Sequence, residues 1–309
     1  MAAVNLTSSV PSTFILTGIP GLEAAHIWIS IPFSTFYIIS LLGNFTVLFV
    51  VAKEQTLHKP MYLLLCMMAL TDIGQSTCVF PKALFIFWFG FKGITMDGCL
   101  TQMFFLYVFG ATHSAILVTM AFDRYVAICD PLRYATILTN TRIVKLALVG
   151  LLRAILLDLP LPHIAVVKIS CGDITVNQMY SLMMGFVTIG LDLTLIGVSY
   201  GLIIRAVIRM SSKKDHKKAL NTCTAHICVI VMAYTPVVFS SLTHRFGQGI
   251  AAHFHILLAN LYLLIPCTLN PIIYGVKTRD LRDKMGKYIC KMCRQSLGSP
   301  LRREPQSLT

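Results

Sequence analysis

Few side chains in this sequence can do chemistry, and most of those sit where they cost most. Asp123-Arg124-Tyr125 closes the apolar run Cys99 to Phe122, which carries no Asp, Glu, Lys or Arg. An acid–base pair at the end of such a run is expensive in a bilayer and points to function, although an arginine there can also serve as an interfacial anchor. Asn44, Asp72 and Asn270 lie inside three other apolar runs. Buried amides and carboxylates need partners, so these three are expected to meet near mid-membrane, and a cluster that only holds helices together would use the same residues. Arg153 and Asp158 share one run but are five residues apart, which does not put them cleanly on one helical face and argues against mutual neutralisation. The His and Cys residues show no metal-ligand spacing and no nucleophile–base pairing, so neither an enzyme, a metal site nor a cofactor is expected. Cys290-x-x-Cys293 lacks the second ligand pair a zinc site needs.

The elements that must position these groups are membrane helices. The 309 residues are 56% hydrophobic and only 13% charged, with mean hydropathy +0.73. Seven apolar spans emerge, near 27–52, 61–81, 99–122, 143–161, 176–204, 219–242 and 250–274. The net charge of +13 follows topology, not nucleic acid. All Lys and Arg except Lys82, Lys92, Arg153, Lys168 and Arg245 fall in alternate connections and the C-terminal tail. That asymmetry puts the N-terminus outside and the tail in the cytoplasm. Met1–Thr13 has no basic start and no continuous apolar core, so the first span is expected to act as its own targeting signal. Asn5-Leu6-Thr7 is a glycosylation sequon on the outer side. Lys277–Cys293 alternates basic residues with Leu281, Met285, Tyr288 and Ile289, the spacing of an amphipathic helix on the inner leaflet. Cys290 and Cys293 there are either palmitoylation sites or plain cytosolic thiols. The expected fold is an all-α membrane protein, a seven-transmembrane helix bundle with a short amphipathic helix after span seven. Residues 1–26 form an outer tail, 27–275 the bundle, and 276–309 the amphipathic helix and cytoplasmic tail.

Helical faces suggest a pocket. Met103, Tyr107, Gly110 and Ala111 recur at i, i+4 and i+7/i+8 in span three. Tyr234, Val237, Val238, Ser241 and Arg245 share a side of span six. A site between these faces would be mostly apolar, with hydroxyls and one cation at the outer rim. Arg245 is either a ligand contact or an interfacial anchor. A transporter or channel would call for repeated halves or a polar pore stripe, and neither is evident.

The string Met120–Cys129 resembles the third-helix terminus of olfactory receptors, the largest branch of rhodopsin-like G-protein-coupled receptors. Leu57–Tyr62, Ser199-Tyr200, Lys218–Cys223 with His226, and Asn270–Gly275 extend the resemblance over nearly the whole chain. Gly18–Leu22, Asp192 and Thr243–Gly247 resemble the class I, fish-like branch, which is associated with polar, often carboxylic, odorants. The resemblance implies a small-molecule odorant as ligand, taken by the pocket residues above, with Arg245 and Ser241 meeting a carboxylate. Asp123, Arg124 and Tyr125 would couple to a heterotrimeric stimulatory, olfactory-type G protein and raise cAMP. Asn44, Asp72, Tyr200, Tyr234, Asn270, Pro271 and Tyr274 would form the activation switch, with water or sodium held by the cluster at Asp72. Membrane lipid is the other partner, nucleic acid is not, and the chain is expected at the plasma membrane.

Two departures stand out. Asp130 replaces the His that usually precedes Pro-Leu-Arg-Tyr in that family. More seriously, the family carries a long second outer loop with three cysteines, and here about a dozen residues join spans four and five. Its final loop cysteine matches Cys171, and the segment holding the first two is absent, so Cys99 has lost its usual partner. A substitute Cys99–Cys171 tether would need Cα atoms within about 7 Å. The shortened loop makes retention in the endoplasmic reticulum, or a non-signalling remnant, the alternative reading.

Overall fold

Apolar helices with polar interiors assemble by turning small and polar residues inward and large apolar ones toward lipid. The computed structural model has that arrangement, and it describes residues 13–16, 19, 25–160, 175–210, 212–246 and 252–296. Along the chain run α1 (His26–Lys53), α2 (Pro60–Phe89), α3 (Met96–Cys129), α4 (Asn140–Asp158), α5 (Thr175–Ile208), α6 (Lys213–Phe246), α7 (Ala252–Lys277) and α8 (Arg279–Ser296). In α1, Ser40 and Asn44 are buried while Trp28 and Phe45 are exposed; in α2, Asp72 and Ser76 are buried while Leu70 faces out. A protein folded in water would reverse that choice.

Among the described residues, six of the helices hold a stretch long and apolar enough to cross a membrane. The seventh, α4, has 19 residues, about 28 Å at 1.5 Å per residue, and carries Arg142, Lys145, Arg153 and Asp158. The sequence predicts this span at 143–161. The helix instead starts at Asn140, where the Thr139 side chain accepts from the Arg142 backbone N–H, and ends at Asp158. Gly150 lets α4 close on α3: a Cβ there would lie 2.6 Å from Ala115 Cβ. Pro60 opens α2 at its first turn as expected.

The inner half of the bundle packs around Leu65, Met68, Leu117, Met120 and Val229, and the outer half around Phe33, Phe80, Phe87 and Leu264. On the outer side β1 (Thr13–Ile15) pairs antiparallel with β2 (Gly93–Thr95), Phe14 opposite Ile94, an element the all-helical expectation did not contain. Lys82 braces it by donating to the Gly93 carbonyl at 2.7 Å.

The amphipathic segment folds as α8 and docks on the bundle as well as presenting a basic face. Leu281 is buried, Tyr62 donates to Asp280, and Lys284 and Tyr288 reach Glu54 at 2.5 and 3.1 Å. The hydrogen bond from the Lys284 ammonium, followed by that from Tyr288, holds the Glu54 carboxyl below its ordinary value. A depressed carboxylate contributes stability that is present at neutral pH and lost as falling pH protonates it. Lys284→Ala should therefore speed amide exchange across α8 at pH 7, and acidification should do the same to the unmodified chain and less to the variant; hydrogen-exchange mass spectrometry reads both.

Candidate functional site

A chain of polar side chains in the bundle interior joins four helices. Arg153 of α4 donates through Nη1 and Nη2 to the two oxygens of Asp192 on α5, at 2.6 and 2.8 Å. Ser114 of α3 donates to Asp192 Oδ2 at 2.5 Å and lies 2.6 Å from the Tyr234 hydroxyl of α6. A carboxylate only accepts and Ser114 has one proton, so Tyr234 must donate to Ser114, giving the chain Tyr234→Ser114→Asp192. Asp192 is 1% exposed, and the two-pronged guanidinium is the counter-charge that permits it there. Arg153 thus finds its partner on another helix, not in Asp158, whose Oδ2 is buried without one. Ser114 had no signal of its own. The pairing was hinted at only by opposite charges in consecutive spans.

The mid-membrane cluster forms, with one partner different from expectation. Asn270 Nδ2 donates to Asp72 at 3.2 and 3.0 Å. Asn44 does not join them. Its Nδ2 donates to the Cys267 backbone carbonyl at 3.0 Å, and Ser40 Oγ donates to the same oxygen at 3.1 Å. Pro271 is the cause: Cys267 lies four residues before it, and proline has no N–H to close that helical bond. Gly43 makes room, since a Cβ there would stand 2.9 Å from Pro271 Cγ. Asn44, Asp72, Asn270, Pro271 and Tyr274 all border one small cavity. The sequence reading passed over His113 of α3, which also reaches the cluster, its Nε2 3.3 Å from Asn270 Nδ2.

At the cytoplasmic end Arg124 and Asp123 are both buried and 3.4 Å apart. Tyr134, in the helical turn Tyr134–Ile137 between α3 and α4, donates to Asp123 Oδ1 at 2.7 Å. Burial, then the Asp123 carboxylate, pushes the Tyr134 hydroxyl well above the ordinary tyrosine value. Tyr200 of α5 and His226 Nδ1 of α6 are 2.8 Å apart, and Tyr274 reaches Met120 Sδ at 4.0 Å. Tyr125 is half-buried against Ile203 and Val207 of α5 and Cys223 of α6. The Asp130 side chain meets Arg133 in a surface contact at 4.0 Å.

The expected pocket faces are less well joined. Met103 and Ala111 are half-buried on α3, Tyr107 is 44% exposed, and Val237 on α6 is equally open. Gly110 sits against Gln75 of α2 instead of opposite α6, because a Cβ there would meet Gln75 Nε2 at 3.2 Å. Cys99 is a free, half-buried thiol, and Cys290 is free and exposed on α8. Asn5 and Cys171, and the side chains of Ser241, Arg245 and Cys293, lie outside the described residues.

The sequence that folds into this bundle is similar to that of known proteins. A family model described as olfactory receptor matches residues 33–292. Human olfactory receptor 52P1 is 47% identical over 305 residues, covering 92% of this chain and 95% of that protein. Human olfactory receptor 52N4 is 47% identical over 92% of this chain and 95% of its own length, and olfactory receptor 51G2 is 44% identical over 93% and 98%. With a family model over most of its length and relatives this similar, the chain belongs to the olfactory receptor family and is a multi-pass receptor of the plasma membrane.

Proposed function

We propose that this receptor takes a small carboxylic odorant between the outer parts of α3 and α6 and passes its occupancy to a stimulatory G protein, raising cAMP. The observation that supports this reading is the Tyr234→Ser114→Asp192–Arg153 chain across four helices. Tyr234 lies one turn inward of Val237 and Val238, so a ligand that shifts α6 must stretch or release the bond to Ser114. The bundle then has two hydrogen-bonded arrangements for a ligand to choose between. Movement of α6 also bears on Tyr200–His226 and on the surroundings of Arg124. Ser241 and Arg245 are four residues apart on α6 and meet the carboxylate together, the guanidinium through two parallel hydrogen bonds.

The test is cAMP accumulation over a panel of short acids, their esters and alcohols, alongside surface labelling of a tagged receptor. Charge-assisted hydrogen bonds contribute roughly 1.5–3 kcal/mol, so Arg245→Ala should raise the half-maximal acid concentration about ten- to a hundredfold. Arg245→Lys should recover part of that loss. Esters as potent as the parent acid would exclude a carboxylate contact.

A further inference from the structure

We propose that Asp72 and His113 hold one proton between them at the centre of the bundle, and that this proton, not a metal cation, neutralises the cluster. The geometry is specific. Asp72 is 0% and His113 6% exposed, and His113 Nε2 lies 3.5 Å from Asp72 Oδ1. Asn270 Nδ2 fills the remaining space, 3.2 and 3.0 Å from the carboxylate oxygens and 3.3 Å from His113 Nε2. A buried carboxylate with only an uncharged amide beside it would be severely under-compensated.

A sodium ion, implied for this cluster by the resemblance, does not fit these residues. Hard cations seek several oxygen ligands. Here the two Asp72 oxygens already face an amide N–H and an imidazole nitrogen. The adjoining cavity is about 10 Å³, room for one water and no hydrated cation; Val47, Leu65, Met68 and Ala69 wall it beside the polar residues named above, and Asn270 Oδ1 is a further buried oxygen without a hydrogen bond among those residues. Two placements of a single proton fit the 3.5 Å contact between His113 Nε2 and Asp72 Oδ1, and in the first of them the Asn270 amide donates to the carboxylate alone. On Nε2 it makes an imidazolium that donates to Asp72 Oδ1. On Asp72 it makes a carboxylic acid that donates from Oδ1 to the one lone pair of Nε2, while Asn270 donates to Asp72 Oδ2 at 3.0 Å. Both placements leave the pair neutral, and they differ only by transfer of that proton along one line. The two groups form one coupled site.

Among the described residues, no charged side chain of the neighbouring helices competes for the pair. Toward the pair α1 contributes Ser40 and Asn44, α2 Ser76, and α7 Asn270, Cys267 and Tyr274, hydroxyl, amide and thiol groups that carry no formal charge. The buried carboxylates Asp192 and Asp123 are committed to Arg153 and Arg124. The bearing of this proton on activation rests on the switch reading of Asp72, Asn270 and Tyr274; the proton site itself does not.

The measurement is the melting midpoint of the purified full-length receptor, so it is independent of odorant and G protein. It is taken across pH 5.5–8, below the range in which unfolded thiols titrate, in sodium chloride and in choline chloride at about 0.15 M ionic strength. Unfolded His is half-protonated at about pH 6.5 and has lost its proton by about pH 7.5, whereas the folded pair keeps one, so stability falls as pH rises through that range. The expected result is an alkaline fall in midpoint, equal in the two salts, and absent in Asp72→Asn. A higher midpoint in sodium than in choline would overturn the proposal, as would an alkaline fall that persists in Asp72→Asn. The salt comparison needs no variant and stands even if that substitution fails to fold.

Discussion

Asp192→Ala should destabilise the receptor by about 3–5 kcal/mol, because it strands the Arg153 guanidinium in the bundle interior. The side chain of Arg153 retains 26% of its exposure, so solvent partly relieves the stranded charge and the lower end of that range applies. Even that is a large share of a typical folding stability of about 5–15 kcal/mol. The loss should be visible as a lower melting midpoint and as intracellular accumulation. Ser114→Ala removes one link without stranding a charge and should cost only about 0.5–1.5 kcal/mol. Pairing Arg153→Met with Asp192→Leu should restore much of the stability, since apolar residues of similar size often replace a buried ion pair without loss. The double variant should reach the surface and still signal poorly, since Tyr234 and Ser114 would have no carboxylate to engage. Normal signalling from it would mean that the four-helix link only holds the fold together.

Arg124→Ala should abolish odorant-stimulated cAMP while leaving surface labelling close to normal. Arg124 lies at the mouth of the bundle 3.4 Å from Asp123, and Asp123 keeps a second partner in the Tyr134 hydroxyl at 2.7 Å. Removing the guanidinium therefore leaves the acid partly satisfied, which limits the structural damage. Paired measurements of surface level and dose response separate a coupling defect from a folding one. A variant that signals undiminished at equal surface level would exclude Arg124 from the coupling step.

Much of the architecture was legible because membrane helices announce themselves by length, and their orientation by the placement of Lys and Arg. Asn270 meeting Asp72 followed from the cost of burying either alone. What lay between helices was less accessible. Helical spacing tells which residues share a face of one helix, so it tested Arg153 against Asp158 and had no means of reaching Asp192 on α5. The partner of Asn44 was hidden for another reason, since it is a backbone carbonyl released by Pro271 and backbone atoms leave no mark on a sequence pattern. His113, one ring in an apolar run, carried no periodic signal. The strand Thr13–Ile15 exists only because Gly93–Thr95 lies across from it.

The capture of the Cys267 carbonyl by Ser40 and Asn44 sets an order on biogenesis. Ser40 and Asn44 enter the bilayer with α1, and the oxygen they bind arrives with α7. Until more than two hundred further residues have been synthesised, that polar notch on α1 must be shielded by lipid headgroups, water or an insertion factor. A nascent chain stalled before Cys267 would present it still open, a degradation signal that closes only when the seventh helix is in place.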